Sequence, residues 1–280
     1  MKIVMSLLVR NEEDIIRSNL EYHLASGVDF FVVTDNLSVD GTKEILMEYA
    51  DRGLVHYIAE EDDTYAQSKW VTRMARLASE DFAADWILNS DADEFWWPER
   101  HSGLKGTLHE VPSSVVGISV NRHNFVALAA PGPNFVSSMK YRETHSVNAI
   151  GEALPPKVCH RAALDVRVAQ GNHSISIGGA VPHLPVWEGL CIFHYPLRTP
   201  AQFTRKITSG GAAYARNRNL GRTVGSAWRK LYEIQQQSGL GDYFGRAILD
   251  DRQIADAQAT GSIVEDTRLS DFFARHDLLR

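Results

Sequence analysis

Three acidic side chains, Asp91, Asp93 and Glu94, directly follow the apolar segment 85–88. Residues two apart in an extended chain point the same way, so Asp91 and Asp93 would present two carboxylates at a strand end. Mg²⁺ and Mn²⁺ prefer oxygen ligands, and Mg²⁺ sites commonly combine one or two carboxylates with substrate phosphates. The pattern therefore predicts a divalent-cation site for a phosphate-bearing substrate. In the alternative interpretation, the acids cap a helix or fill a turn.

Polar segments also follow the earlier apolar runs of the chain. The runs at 2–9, 29–34, 54–59 and 85–88 read as buried strands, and segments with helical spacing separate them at about 12–25, 42–49 and 65–78. This alternation favours a parallel sheet with helices on its faces. In such sheets ligands bind outside the carboxyl ends of the strands. The sequence places there Arg10-Asn11-Glu12, Asp35-Asn36, the acidic loop 60–63 and the segment 91–94.

The pattern changes after residue 100. Segment 115–120 predicts a strand, and the short segments 166–169, 173–177 and 189–193 predict antiparallel strands among loops. Thr199-Pro200 predicts a helix start, because threonine caps a helix well and proline suits its first position. Two helices are expected, over about 200–217 and 225–237. We therefore predict an α/β fold with a mostly parallel central sheet flanked by helices, a smaller antiparallel part and C-terminal helices.

Composition excludes several classes of protein. The 280 residues are 44% hydrophobic and 23% charged, which is typical of a globular chain and not of a disordered or collagen-like one. The net charge of −6 argues against a nucleic-acid binder, and two cysteines cannot form a disulfide scaffold. The first apolar run is too short for a signal peptide, and no apolar stretch reaches membrane-spanning length. We expect a cytoplasmic protein that could contact the inner face of the membrane peripherally.

Several segments in order resemble one enzyme family. They are Leu8-Val9-Arg10-Asn11-Glu12, the stretch 34–42 (TDNLSVDGT), Asp91-Ala92-Asp93-Glu94-Phe95, Pro156-Lys157 and His194-Tyr195-Pro196. Together, over roughly residues 1–210, they resemble the GT-A-fold glycosyltransferases of the family 2 type, in the branch with N-E and D-x-D-E-F motifs. The resemblance implies the GT-A fold, with residues 1–100 binding a nucleotide sugar, 101–198 forming the acceptor side and 199–280 a C-terminal helical region.

The resemblance implies transfer of a sugar from a nucleotide sugar, UDP-linked, to a carbohydrate or glycolipid acceptor with inversion. A divalent cation, Mn²⁺ or Mg²⁺, would be held by Asp91, Asp93 and a late histidine, for which His194 is the candidate. Residues expected to bind the nucleotide sugar are Val9, Arg10, Asn11, Glu12, Asp35, Lys69, Ser90, Asp91, Lys157 and Lys206. Trp97 and His173 are candidates for acceptor binding, although aromatic side chains are more often core residues.

The chain departs from the common family 2 pattern at two places. The usual D-D-G-S appears here as Asp35-Asn36-Leu37-Ser38, so the second acid is missing. No convincing E-D pair supplies the catalytic base, which leaves Glu94 and Glu188 as candidates. Glu94 could instead support the metal site or bind the acceptor.

Two other functions remain open at this point. A sugar nucleotidyltransferase shares the α/β layout, but it usually has a glycine-rich basic loop near the N-terminus, and Arg10-Asn11-Glu12 has no glycine. A non-catalytic carbohydrate-binding relative would keep the fold alone. The intact acidic residues Asp91, Asp93 and Glu94 argue against it.

Overall fold

The computed structural model describes residues 1–100, 103–130, 132, 134–221 and 224–278. The chain forms two compact units. The first comprises Met1–Arg122 and Pro155–Ile192, and the second comprises His123–Leu154 and Phe193–Arg280. The functional division predicted at residues 100 and 198 stays a prediction, since these units follow compactness and not activity.

The strands, in chain order, are β1 Ile3–Val9, β2 Phe30–Asp35, β3 Val55–Ala59, β4 Trp86–Asp91, β5 Glu94–Pro98, β6 Gly117–Val120, β7 Arg122–Asn124, β8 Ala127–Leu128, β9 Tyr141–Glu143, β10 Lys157–Arg161, β11 Arg167–Val168, β12 Ile175–Ser176, β13 Leu190–His194, β14 Ile248–Leu249 and β15 Ile263–Glu265. The helices are α1 Ile16–Ala25, α2 Thr42–Asp51, α3 Gln67–Glu80, α4 Gly103–His109, α5 Phe135–Ser138, α6 Pro200–Arg216, α7 Ser226–Gln237, α8 Gly241–Ala247, α9 Asp251–Ala259 and α10 Arg268–Arg275.

A six-stranded sheet forms the centre of the first unit, in the order β3-β2-β1-β4-β10-β6. Strands β1 to β4 are parallel, whereas β10 runs antiparallel to both β4 and β6. In this register Val9 lies opposite Asp35, and Leu8 lies opposite Asp91. The polar residues at the carboxyl-terminal ends of β1, β2 and β4 therefore lie side by side at one end of the sheet. The predicted fold class, a mostly parallel sheet flanked by helices, is confirmed.

Burial of apolar side chains explains why these segments fold as they do. All seven residues of β1 are buried, as expected of a central strand covered on both faces. Helix α3 buries Trp70, Met74 and Ala78, which repeat every four residues along one face. These side chains belong to one core cluster with Val4 and Ile87 of the sheet. The helix thereby fixes the sheet edge from which the acidic residues project.

The second unit contains the predicted C-terminal helices. Thr199 caps α6 by accepting a hydrogen bond from Gln202 N–H at 3.1 Å, with Pro200 at the first helical position. Helices α6 and α7 pack closely because α6 presents a glycine to its partner: a Cβ atom at Gly211 would lie 2.4 Å from Tyr232 Cβ. The helix predictions over 200–217 and 225–237 are confirmed within one residue at each end.

The structure decides between the two interpretations of segment 91–94. The segment is not extended, because Ala92 and Asp93 form a turn between β4 and β5. The acidic loop 60–63 is held by ion pairs from Arg73 to Glu60 and from Arg10 to Asp63. Among the described residues, no helix combines the length and apolar character needed to cross a membrane.

Candidate functional site

The turn between β4 and β5 is held from behind by helix α1. The buried Asn19 side chain donates two hydrogen bonds through Nδ2, one to Ala92 O and one to Glu94 O, each of 2.9 Å. One amide thus satisfies the carbonyl groups on both sides of Asp93. Because buried carbonyls are costly to leave unpaired, Asn19 fixes the backbone that carries the acidic side chains.

His23 continues this support one turn further along α1. Its Nε2 lies 3.1 Å from Trp96 N, and its Nδ1 lies 2.8 Å from Asn19 O. The Trp96 N–H can only donate, so Nε2 accepts and Nδ1 carries the proton. Burial lowers the pKa of His23 to about 3, which keeps the ring neutral. The imidazole therefore joins α1 to β5 without placing a charge in the core.

Replacing Asn19 with alanine should lower the free energy of unfolding by about 2 kcal/mol, since two buried carbonyls would lose their donor. Urea denaturation followed by circular dichroism measures this loss. Ser18→Ala, at the neighbouring position of the same helix, is the matched control and should change the free energy of unfolding by less than about 0.5 kcal/mol. Equal stability of Asn19→Ala and wild type would contradict the supporting role.

A buried cluster of charges lies directly behind the turn. Glu94 is fully buried, and its Oε1 lies 3.1 Å from Arg122 NH1 and 3.2 Å from Lys157 Nζ. Its Oε2 accepts a hydrogen bond of 3.0 Å from Asp91 N–H. Lys157 Nζ also lies 2.5 Å from Asp91 Oδ2. Burial raises the pKa of Glu94, and the charge of Lys157 opposes that rise. These ion pairs connect Asp91 and Glu94 to Lys157 of β10 and connect Glu94 to Arg122 of β7.

The two candidates for the catalytic base lie in different surroundings. Glu94 has no exposed surface, whereas a base must reach the proton of the acceptor. Its burial favours the supporting role that the sequence left open. Glu188 is exposed. The carbonyl of its neighbour Gly189 accepts a hydrogen bond from Glu99 N–H, just beyond the end of β5 that is distant from Glu94. Glu99 follows Glu94 by five residues, roughly 16 Å along an extended strand at about 3.3 Å per residue. The identity of the base stays a prediction.

Asp91 and Asp93 supply oxygen donors that suit Mg²⁺ or Mn²⁺. The Asp91 side chain is 32% exposed, and its Oδ1 makes a long contact of 3.5 Å with Gln67 Nε2. Asp93 is 2% exposed and sits in the turn itself. Among the described residues, no group of three or more His, Cys, Asp or Glu side chains forms a metal site. The donor set therefore fits a cation that completes its shell with phosphate oxygens and water.

The predicted nucleotide-binding residues in and next to the loops after β1 and β2 form one hydrogen-bonded layer. Asn11, with a left-handed φ of 56°, donates its N–H to Ser38 Oγ and accepts from Val39 N–H through Oδ1. The buried Asp35 accepts from Ser38 N–H at 3.1 Å and from the Tyr57 hydroxyl at 3.0 Å. The structure thus brings the loop after β1 and the loop after β2 together. Val9 and Glu12 are buried in the same layer, and Glu12 N–H donates to Thr42 Oγ1 at 2.9 Å.

Asn36 explains the departure from the common D-D-G-S pattern. Its Nδ2 donates to Glu60 O at 3.1 Å and to Asp62 O at 2.8 Å. An aspartate cannot donate to two carbonyls. The amide therefore attaches the acidic loop to β2, and Arg10 attaches the same loop to β1 through Asp63 at 2.6 Å.

The other candidate residues of the first unit have distinct environments. His173 Nδ1 lies 2.7 Å from Pro156 O, and burial, aided by the charges of Lys157 and Arg122, lowers its pKa to about 4. His173 thus lies close to the charge cluster of Glu94, Arg122, Lys157 and Asp91.

Trp97 is half-buried, and its ring stacks on Tyr22. Two candidates for nucleotide binding remain. Lys69 is exposed on α3. Ser90 lies on β4, and its Oγ accepts a hydrogen bond of 3.0 Å from Trp96 Nε1.

Two predicted residues belong to the second unit. His194 lies on β13, where its Nδ1 is 2.7 Å from Asn124 Oδ1. The Asn124 amide is oriented by its Nδ2, which donates to Val147 O at 2.7 Å. In the neutral ring of His194, the proton therefore lies on Nδ1 and the lone pair on Nε2. Lys206 is half-buried on α6. The proposed roles of both residues stay predictions.

Comparison with known proteins supplies the enzyme class. Residues 3–140 match the family described as glycosyltransferase family 92. The prediction of a glycosyltransferase is confirmed by this domain, whereas the assignment to family 2 stays a prediction. Among curated proteins, none matches this chain significantly.

The chain is also similar to several solved structures at low sequence identity. S. aureus TarS 1-349 is 14% identical with a TM-score of 0.45, over 94% of this chain and 80% of that one. Its complex with UDP-GlcNAc is 15% identical with a TM-score of 0.47, over 88% and 82%. Glucosyl-3-phosphoglycerate synthase from Mycobacterium tuberculosis is 20% identical with a TM-score of 0.31, over 44% of each chain.

Proposed function

We propose that this protein transfers a sugar from a UDP-linked nucleotide sugar to a hydroxyl group of a carbohydrate or glycolipid acceptor, with inversion and with Mn²⁺ or Mg²⁺. The observation that carries the proposal is the acidic turn at the carboxyl edge of the sheet. Asp91 and Asp93 are fixed there by α1, and Leu8 of β1 lies opposite Asp91. This is the edge at which open α/β sheets bind ligands.

The balance of charges at the turn supports a requirement for a divalent cation. Asp91 and Glu94 pair with the buried cations Lys157 and Arg122, and Asp93 adds a further carboxylate in the turn. A nucleoside diphosphate is itself anionic, so carboxylates at this position would repel it. A divalent cation between them would offset that repulsion and stabilise the charge that gathers on the leaving diphosphate.

The chain's own residues would then hold the donor in place. Asn11 and Asp35 lie in the layer proposed to bind the nucleoside. Asn11 Oδ1 accepts from Val39 N–H and Asp35 Oδ1 accepts from Ser38 N–H, which holds both side chains in position. Lys157 lies behind the acidic turn and is the cation proposed to contact the diphosphate.

Calorimetric titration of UDP, GDP and CDP, each with and without Mn²⁺, tests the proposal. We expect one nucleotide, UDP, to bind in a Mn²⁺-dependent manner. Asp93→Ala should weaken this binding at least about tenfold, because the turn loses a carboxylate that holds the cation. Asp51→Ala, at an exposed acid at the end of α2, is the control and should bind UDP as wild type does.

Two outcomes would contradict the proposal. One is the absence of binding for all three nucleotides under both conditions. The other is UDP binding that is equally strong without Mn²⁺ and in Asp93→Ala, since the acidic turn would then have no part in holding the donor.

A further inference from the structure

Lys157 is a buried cation placed on the carboxylate that the proposed metal would need. It begins β10, which pairs antiparallel with β4 next to Asp91. The Lys157 side chain is 2% exposed, and its Nζ lies 2.5 Å from Asp91 Oδ2 and 3.2 Å from Glu94 Oε1. One carboxylate oxygen of Asp91 is thus already paired with the positively charged ammonium of Lys157 before any metal binds.

The two contacts of Lys157 are not equivalent. Glu94 is fully buried and also pairs with Arg122 at 3.1 Å, so it keeps a cation if Lys157 moves. Asp91 is one-third exposed, and Lys157 is its only ion-pair partner shown among the described residues. The Asp91 contact is therefore the one that can be exchanged, whereas the Glu94 contact can keep the ammonium close to the turn. A lysine suits such an exchange because its ammonium is a compact charge on a flexible chain.

We propose that Lys157 is the internal counter-ion of Asp91: it neutralises Asp91 in the unloaded protein, competes with the divalent cation for that carboxylate, and turns to the donor diphosphate when the cation binds. This proposal rests on the proposed function, since it concerns the same site. An ammonium and a divalent cation on one carboxylate repel each other. Entry of the cation thus favours movement of Nζ toward a new negative charge, which the diphosphate provides.

The proposal requires two effects of opposite sign when the charge at position 157 is removed. The divalent cation should bind more tightly, because its competitor is gone and the turn becomes more negative. The nucleotide should bind more weakly, because the diphosphate loses a cation. A purely structural role for Lys157 would weaken both kinds of binding, since loss of the buried pair would loosen the turn.

The experiment measures Mn²⁺ binding without nucleotide, from the electron paramagnetic resonance signal of free Mn²⁺, and then UDP binding at saturating Mn²⁺. For Lys157→Met we expect Mn²⁺ to bind about tenfold more tightly and UDP about tenfold more weakly than in wild type. Lys157→Arg keeps the charge, so its Mn²⁺ affinity should stay within about threefold of wild type. Lys43→Met, at an exposed position on α2, is the surface control and should change neither affinity.

Lys157→Gln protects the test against misfolding of the methionine variant. Its amide can still donate to Asp91 and Glu94 without a charge, so the same gain in Mn²⁺ affinity is expected. Equal or weaker Mn²⁺ binding in a folded Lys157→Met or Lys157→Gln protein would overturn the proposal. In the double variant Asp91→Asn/Lys157→Met, the gain should disappear, because the carboxylate itself is gone.

Failure of the inference can be distinguished from failure of the proposed function. If wild type binds no Mn²⁺, even with UDP present, the metal-dependent donor site is wrong, and the counter-ion role falls with it. If wild type binds Mn²⁺ and UDP together but the neutral variants show no gain in Mn²⁺ affinity, only the counter-ion role is overturned.

Discussion

Glu94→Gln should lower the free energy of unfolding by about 3 kcal/mol, because removing one partner of a buried ion pair leaves the other charge uncompensated. Glu94 is fully buried and holds both Arg122 and Lys157 on Oε1. Glutamine keeps the shape of the side chain but offers those cations a neutral oxygen. Its Oε1 or Nε2 must also face Asp91 N–H, where the wild type has a carboxylate oxygen at 3.0 Å. Urea denaturation of both proteins at pH 7 measures the loss.

An exposed pair of the same chemistry provides the control for Glu94→Gln. Glu110 lies 2.8 Å from Arg100, with side chains 39% and 67% exposed. Solvent screens such a pair, so Glu110→Gln should cost less than about 1 kcal/mol. Similar losses in the two variants would show that burial of Glu94 does not raise the cost. The supporting role of Glu94 would then be wrong.

Acid should destabilise the protein well before its ordinary carboxylates titrate. Burial lowers the pKa of His23 to about 3 and that of His160 to about 4, against 6.5 for an unperturbed imidazole. As the pH falls, the unfolded chain therefore binds protons at these histidines before the folded chain does. The contribution of the neutral rings to the free energy of unfolding is present above the unfolded pKa of 6.5 and is lost as the pH drops toward the folded values. Between pH 7 and 5, each ring contributes a loss of about 2 kcal/mol, or about 4 kcal/mol together.

The pH dependence is checked by urea denaturation at pH 7, 6 and 5. His160→Gln should show a shallower loss of stability below pH 6.5, by about one proton. His56→Gln, at an exposed histidine on β3, should keep the wild-type slope. The raised pKa of buried Glu94 acts in the opposite direction, because protonation of that group favours the folded state. Comparison of each variant with wild type isolates the imidazole, and an unchanged slope in His160→Gln would contradict the prediction.

The part of the fold that carries the parallel strands β1 to β4 could be predicted from the sequence. Strands β1 to β4 are continuous apolar runs because both faces of a central parallel strand are covered. The helices between them carry apolar residues at a spacing that fixes which face packs on the sheet. Ligand-binding residues were then predicted at the ends of these strands, where the structure places Asp35 and Asp91.

The supporting residues could not be predicted, because their partners are distant in sequence. Arg122 lies 28 residues from Glu94, and Asn19 lies 73 residues from Ala92. Nothing in the local pattern of either residue differs from an ordinary surface arginine or helical asparagine. The turn at Ala92-Asp93 was only the alternative interpretation, since a two-residue reversal inside an acidic segment resembles an extended strand end. Burial of Glu94, which decides its role, depends on all these long-range contacts.

The antiparallel strand β10 has a consequence for synthesis of the protein in the cell. It covers the edge of β4, but the ribosome completes Asp91 long before it reaches Arg161. At a translation rate of about 5–20 residues per second, β10 is completed roughly 4–14 s after β4. An apolar strand with an unpaired edge readily pairs with other chains. Yield of folded protein should therefore depend on translation speed and chaperone supply during that interval, even when the finished fold is stable.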